Sequence, residues 1–265
     1  MKRFRTIEFS DSRFQKEGLR FVTVKSNNLK GRGDVILFIP EKISKNCAVT
    51  ILLHGVYGSA WSWPMSGGVH LIEKAKTNPM VLAFPSDGLW GDGSGYVPHD
   101  GFDFEKWIAE DIPELLIEII PEITTDSLFF VTGLSMGGFG ALRIGAKYHQ
   151  RFKSFSGHSS ITHLQQMQLF VEEDISHYTH AGVDDQGVFE TIKKNKNKIG
   201  KFRFDCGTSD LLLEHNRRLH ECLKSENIQH TYEEFSGGHE WSYWQKHIER
   251  SLDFFRNQIP FKSTF

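Results

Sequence analysis

The segment Phe129-Phe-Val-Thr-Gly133-Leu-Ser135-Met-Gly137-Gly-Phe-Gly140 places a serine between two glycines, directly after an apolar run and before a stretch able to form a helix. A serine presented on a sharp strand-to-helix turn takes a strained backbone conformation, and side chains two positions to either side would strike neighbouring backbone. Gly133 and Gly137 remove that clash, so the pattern predicts a nucleophile elbow with Ser135 at its apex. A serine hydroxyl is a poor nucleophile at neutral pH. It needs a histidine to take its proton and an acid to hold that histidine in the right tautomer.

On a strand-and-helix scaffold the acid follows the serine in the chain and the histidine comes last. Two later loops fit this order. Asp210 stands in Gly207-Thr-Ser-Asp210 after an apolar run ending at Cys206, and His239 stands in Ser236-Gly-Gly-His239-Glu-Trp after the run Thr231–Phe235. Asp210 also suits the N-cap of the helix that follows it. Asp205 lies within the preceding strand and Glu214 a turn into the helix, which makes each a weaker candidate for the acid. Among thirteen histidines His239 stands out by position, and His158, at the end of another predicted strand, is a candidate to line the pocket. The alternative for His158 is a hydrogen-bonded strand-end histidine.

Acyl transfer also requires donors aimed at the oxygen that becomes negative in the tetrahedral intermediate, and backbone amides supply them without reorganising. One is expected from Met136. The second is assigned to Val56 in Leu52-Leu-His54-Gly55-Val56-Tyr57-Gly58, with the Tyr57 amide as the alternative. Tyr57, Trp61, Trp90 and Trp241, with Trp63 and Trp244, follow predicted strands in loops where ligands of open α/β sheets bind, so they are candidates to hold substrate; packing of the loops is the competing role. The segment Asp87-Gly-Leu-Trp-Gly-Asp-Gly-Ser-Gly95 reads as a mobile binding loop, with too few carboxylates for a calcium site. His163, His177 and His180 lack the helical spacing and carboxylate neighbour of a zinc hydrolase, and the serine-centred reading needs neither metal nor cofactor.

The elements that must position these groups are legible as short apolar runs alternating with helical stretches. Strands are expected at 19–25, 33–39, 48–53, 80–84, 127–132, 152–156, 201–206 and 229–235. The later runs are nearly continuous, which suits strands covered on both faces, and the first two suit an antiparallel hairpin. Phe104, Trp107, Ile108, Ile112, Leu115, Leu116 and Ile119 mark one helical face that Pro113 must kink or restart. A further helix is expected from just after Ser135 through Lys147. The alternation predicts an α/β architecture: one domain over 1–265 with a mostly parallel eight-stranded sheet flanked by helices. Residues 159–199 break the rhythm and are read as a small helical insertion or lid after the sixth strand, with Lys193-Lys-Asn-Lys-Asn-Lys198 as a solvated helix end.

In order along the chain, Leu-Leu-His-Gly-Val, Gly-Leu-Ser-Met-Gly-Gly-Phe-Gly-Ala-Leu, Cys-Gly-Thr-Ser-Asp and Gly-Gly-His-Glu-Trp resemble the motifs of the esterase family that contains esterase D. That family also holds S-formylglutathione hydrolases, tributyrin, feruloyl and acetylxylan esterases, and mycolyl transferases. The resemblance spans roughly residues 20 to 255. It implies an α/β-hydrolase fold, a triad of Ser135, Asp210 and His239, and oxyanion amides at Val56 and Met136. Residues 103–117 also resemble the family's helix before the nucleophile strand, whereas the segment after residue 159 has no counterpart in these motifs.

Composition narrows the partners. The chain has 265 residues, 39% hydrophobic and 24% charged, enough for a sizeable core. A net charge of -2 gives no basic field for nucleic acid, and no run approaches the length of a membrane span. The start MKRFRTIEFSDSRF lacks the apolar run of a secretory signal, and Cys47, Cys206 and Cys222 lack metal or redox spacing, so a cytoplasmic protein with reduced thiols is expected. A small-molecule ester is the expected partner. The leading expectation is ester hydrolysis on a small or sugar-linked substrate; acyl transfer by the same residues, an S-formylglutathione-type thioesterase and a non-catalytic binding protein on this scaffold are the alternatives.

Overall fold

The computed structural model of the chain describes residues 4, 6–11, 18–67, 71, 80–178, 182 and 186–260, with the backbone alone for His177. Its strands are β1 (Ile7–Phe9), β2 (Leu19–Ser26), β3 (Gly31–Phe38), β4 (Ala48–Leu53), β5 (Met80–Pro85), β6 (Pro98–His99), β7 (Phe102–Asp103), β8 (Phe129–Gly133), β9 (Phe152–His158), β10 (Phe202–Gly207) and β11 (Thr231–Phe235). β6 and β7 pair with each other. The rest form one nine-stranded sheet in the order β1-β2-β3-β5-β4-β8-β9-β10-β11. The sheet has one strand more than the eight expected. β1 pairs antiparallel with β2, and only three residues long and mostly exposed, it has no buried face to leave an apolar signature.

β2 and β3 form the expected antiparallel hairpin, Leu19 opposite Phe38 and Ser26 opposite Gly31. β3 also runs antiparallel to β5, and from β5 onward every pairing is parallel. Every residue of β4, β5 and β8 is buried, as continuous apolar runs require when helices cover both faces. One face packs the helices Met136–Lys147, Val188–Asn195 and Leu213–Ser225, together with the helical stretch that starts at Phe104; the other packs the C-terminal helix Trp241–Arg256 and Trp63. Pro113 does restart a helix: a π-helical turn over Trp107–Asp111 leads into Ile112–Ile119, with the proline in the first turn where no N–H is missed.

Residues 159–199 carry two 3₁₀ turns, Leu164–Leu169 and Ile175–Tyr178, and the helix Val188–Asn195. Lys193 and Lys196, at the end of that helix, both pair with Glu226. Among the described residues no helix is long and apolar enough to cross a membrane.

Candidate active site

Parallel strands deliver their carboxyl ends to one rim of the sheet, and the loops that leave β4, β8, β10 and β11 there carry Val56, Ser135, Asp210 and His239. Ser135 has φ 54° and ψ −118°, a conformation that a residue with a side chain adopts only when its surroundings insist. Its N–H donates to the carbonyl of His158 (2.9 Å), and its own carbonyl accepts from Phe139 (3.1 Å) and Ile161 (3.2 Å). The glycines work as the motif requires. A Cβ on Gly133 would lie 2.3 Å from the Gly137 carbonyl oxygen, and one on Gly137 would lie 2.4 Å from that of Leu53.

The three candidate residues meet. His239 Nε2 lies 3.0 Å from Ser135 Oγ, and its Nδ1 lies 3.0 Å from each oxygen of Asp210. The loops that carry Asp210 and His239 are joined by backbone bonds, Thr208 N–H to the Phe235 carbonyl (2.8 Å) and Ser209 N–H to that of Gly237 (2.9 Å). Asp210 also accepts from the Leu212 amide (2.8 Å), closing a tight turn before the helix Leu213–Ser225, whose N-cap is Leu212 and not the aspartate. Burial works to raise its carboxyl. The hydrogen bond and charge of His239, with Ser159 and the Leu212 amide, outweigh that and hold Asp210 below the ordinary carboxylate value. Asp210 therefore stays ionised at neutral pH, able to accept Nδ1–H and to balance an imidazolium.

Beside Ser135, the amides of Val56 and Met136 donate to no group among the described residues. The Tyr57 amide is already committed to the Asp92 carbonyl at 2.7 Å, which leaves Val56 as the free donor of that loop. Met136 opens the helix Met136–Lys147, so the positive end of the helix dipole lies at the same point. The loop is held by a side chain whose role went unread in the sequence. His54 is buried, with Nδ1 at 2.7 Å from the Gly55 carbonyl and Nε2 accepting the Asp87 amide at 3.1 Å. Donor and acceptor requirements thus assign the proton to Nδ1.

The aromatic candidates divide. Tyr57 is 65% exposed, and its hydroxyl donates to the Phe170 carbonyl at 2.8 Å. Trp61 is half exposed and lies against Phe21 of β2 (4.7 Å), and Trp90 packs with His99 (5.1 Å) and Phe102 (5.4 Å). Trp63 is buried and donates to the Leu53 carbonyl. Trp241 stacks edge-on against Trp63 and Trp244, and Trp244 in turn meets His239 edge-on at 5.0 Å. Phe170, which no motif marked, lies over the His239 ring at 5.2 Å.

His158 does not line the site with its side chain. Its ring is fully buried on the opposite face of the sheet, bonded to Ser251 Oγ (2.8 Å) and Asp205 Oδ1 (3.1 Å), because alternation along β9 turns it toward the C-terminal helix. Asp205 is thereby taken up with His158, Arg203 and Tyr243, and Glu214 pairs with Arg217 at the surface. The loop expected to be mobile is tied down: Asp87 accepts the amides of Leu89 (2.9 Å) and Ser94 (2.6 Å), and Asp92 accepts that of Glu172 (2.7 Å). His163 accepts the Gln165 amide as a helix cap, while His180 and the side chain of His177 lie outside the described residues. Cys47, Cys206 and Cys222 are not disulfide-bonded.

Sheet order, elbow and rim together define an α/β hydrolase, and solved structures share that fold. S-formylglutathione hydrolase FrmB from Staphylococcus aureus superposes with a TM-score of 0.77 at 16% identity, covering 95% of this chain and 100% of that one. A ferulic acid esterase superposes at 0.76 and 19% identity, covering 96% and 99%. The chain belongs to the family described as "Putative esterase", whose model matches residues 26–255, and it is a serine carboxylic-ester hydrolase. The acetyl esterase of Caldicellulosiruptor saccharolyticus is 28% identical over 228 residues, 79% of this chain and 84% of that protein.

Proposed function

We propose that the chain cleaves small or sugar-linked carboxylic esters through a transient acyl ester on Ser135. His239 Nε2 takes the hydroxyl proton as Ser135 Oγ bonds to the carbonyl carbon. The electron pair of the C=O bond moves to oxygen, which accepts hydrogen bonds from the Val56 and Met136 amides. Collapse of this intermediate breaks the bond to the alcohol oxygen, and His239 gives that oxygen the proton. Water then attacks the acyl carbon, passing a proton to His239. The second collapse releases the acid and returns the proton to Ser135. Asp210 remains a carboxylate throughout and stabilises the imidazolium.

The observation that carries this reading is the single imidazole spanning Ser135 Oγ and both Asp210 oxygens at 3.0 Å. The acetyl esterase relative supports a short acyl group. Residues 1–265 are read as one catalytic domain, with 159–199 as its helical insertion.

Ser135→Ala is expected to abolish turnover of p-nitrophenyl acetate and labelling by a fluorophosphonate. Asp210→Asn is expected to lower kcat on the order of 10⁴-fold. Full activity in the first variant would end the reading, and near-normal activity in the second would move the acid elsewhere. A panel of acetyl, feruloyl and S-formyl substrates, assayed with and without an added sugar acceptor, should show highest kcat/KM for acetyl esters and free acid as the main product.

A further inference from the structure

We propose that Phe170 is a positioning residue for His239, an inference that rests on the ester-hydrolysis reading above. The Nδ1 position of His239 is 3.0 Å from both Asp210 oxygens, so its proton is shared between two acceptors. A proton divided between two oxygens points straight at neither, and each bond is weaker for being less linear. The backbone before the ring is held at Gly237, whose carbonyl accepts the Ser209 amide at 2.9 Å, but that bond fixes the position of the loop and not the turn of the imidazole about its own side-chain bonds. His239 is also the member open to solvent, with its side chain 15% exposed against 0% for Asp210.

Two aromatic rings bound the imidazole. Phe170 lies over its face at 5.2 Å and 29°, and Trp244 meets it edge-on at 5.0 Å and 89°. Trp244 belongs to the helix that follows His239, but Phe170 arrives from residues 159–199 and is fastened from across the site. The Tyr57 hydroxyl donates to its carbonyl at 2.8 Å, the Glu172 amide donates to Asp92 at 2.7 Å, and the Asp92 amide donates to Glu173 at 3.1 Å. The Tyr57 amide donates to the Asp92 carbonyl at 2.7 Å, and Tyr57 is next in the chain to Val56. One hydrogen-bonded strip therefore holds both the candidate oxyanion amide and the ring above the base. With the flat face of Phe170 against it, the imidazole is kept from turning out of the plane that aims Nε2 at Ser135. When Nε2 accepts the proton, the charged ring faces π electrons. Proton transfer in a positioned pair falls steeply with misplacement.

The test measures two rates in folded variants: kcat for p-nitrophenyl acetate, and covalent labelling of Ser135 by a fluorophosphonate. Phe170→Leu keeps apolar bulk and removes the flat face. Both rates should fall together by about 10- to 100-fold with KM little changed. Phe170→Trp should recover most of the loss. Tyr57→Phe releases the Phe170 carbonyl and should lower both rates by less, adding nothing on top of Phe170→Leu. Wild-type rates in Phe170→Leu, a rise in KM at unchanged kcat, tryptophan no better than leucine, or additive Tyr57 and Phe170 losses would each overturn the proposal. Should Phe170→Leu fail to fold by near-ultraviolet circular dichroism, Tyr57→Phe carries the test, and wild-type rates there overturn it. A wild-type protein that neither hydrolyses the ester nor takes the label would instead overturn the functional reading itself.

Discussion

His158 and His239 each bridge a serine hydroxyl and an aspartate, yet under the proposed reading only the chain through His239 does chemistry. In the chain through His158, Ser251, His158 and Asp205 are all buried, and the Ser251 hydroxyl is also held by Arg203 at 3.0 Å and by Ser156. Ser251 sits within the helix Trp241–Arg256, and the His158 ring that meets it is fully buried, whereas the His239 side chain is 15% exposed. Arg203 lies 2.8 Å from Asp205, so a fixed cation already answers that carboxylate, whereas Asp210 has His239 as its charge partner. The contrast shows why residue types at hydrogen-bond distance do not suffice: exposure of the histidine, backbone strain and the nearby amides of Val56 and Met136 separate Ser135 from Ser251. Ser251→Ala should therefore act on stability alone. It leaves His158 Nε2 and one Arg203 donor without that partner, at a cost of about 1–3 kcal/mol. Urea unfolding should report this loss while fluorophosphonate still labels Ser135 at the wild-type rate; a lost label in a folded variant would contradict the division.

At the level of elements, the nucleophile turn is where sequence and structure correspond most closely, because its demand is steric and local. Gly137→Ala would push a Cβ to 2.4 Å from the Leu53 carbonyl oxygen and 2.5 Å from that of His54, backbone atoms that anchor β4 and the loop leaving it. Overpacking of this kind costs about 1–3 kcal/mol. It should also displace Val56 relative to Met136, so labelling of Ser135 should slow by more than tenfold, in proportion to what positioning supplies. Gly31→Ala is the control, since its nearest new contact is 3.4 Å away, and equal losses in the two variants would argue against a special role for the elbow. The buried strands β4, β5 and β8 were legible for a related reason: burial on both faces forces continuous apolar runs. Of 159–199 only the helical character was legible, and not its path over the site. Its backbone is set by distant partners, Tyr57 and Asp92 holding residues 170–173, and neither periodicity nor a motif records a contact of that range. Phe170 was missed for this reason, and the ring of His158 was misplaced because strand alternation decides its face while position in the chain says only that it ends β9.

Across the whole molecule, the buried ionisable groups predict how stability responds to acid. Burial opposes ionisation of Asp205, but His158, Arg203 and Tyr243 more than compensate and hold it below the ordinary carboxylate value, as His239 does for Asp210. An unfolded aspartate takes up its proton near pH 4 while these two remain ionised, so the unfolded state binds more protons and stability rises with pH. Their contribution is present above about pH 4 and is lost as pH falls through the folded values. Two histidines add an earlier step of the same sign. Burial is the largest influence and lowers His247 and His230; Lys246 and Arg250 add to the first against the charge of Asp205, and Lys224 adds to the second against its bond to the Ile228 carbonyl. Below about pH 6.5 an unfolded imidazole binds a proton that the folded ring resists, so stability should already decline there. His247 is the cleaner probe: it stacks on Phe235 at 4.4 Å and 9°, and neither ring nitrogen has a hydrogen-bond partner among the described residues. His247→Phe keeps a flat ring against Phe235 and removes the titrating group. Urea unfolding from pH 3 to 8 should then show a shallower decline between pH 7 and 5, leaving the share of His230, with the drop below about pH 4 unchanged. An unaltered slope across the upper range would mean that the buried imidazole of His247 gains its proton as readily folded as unfolded.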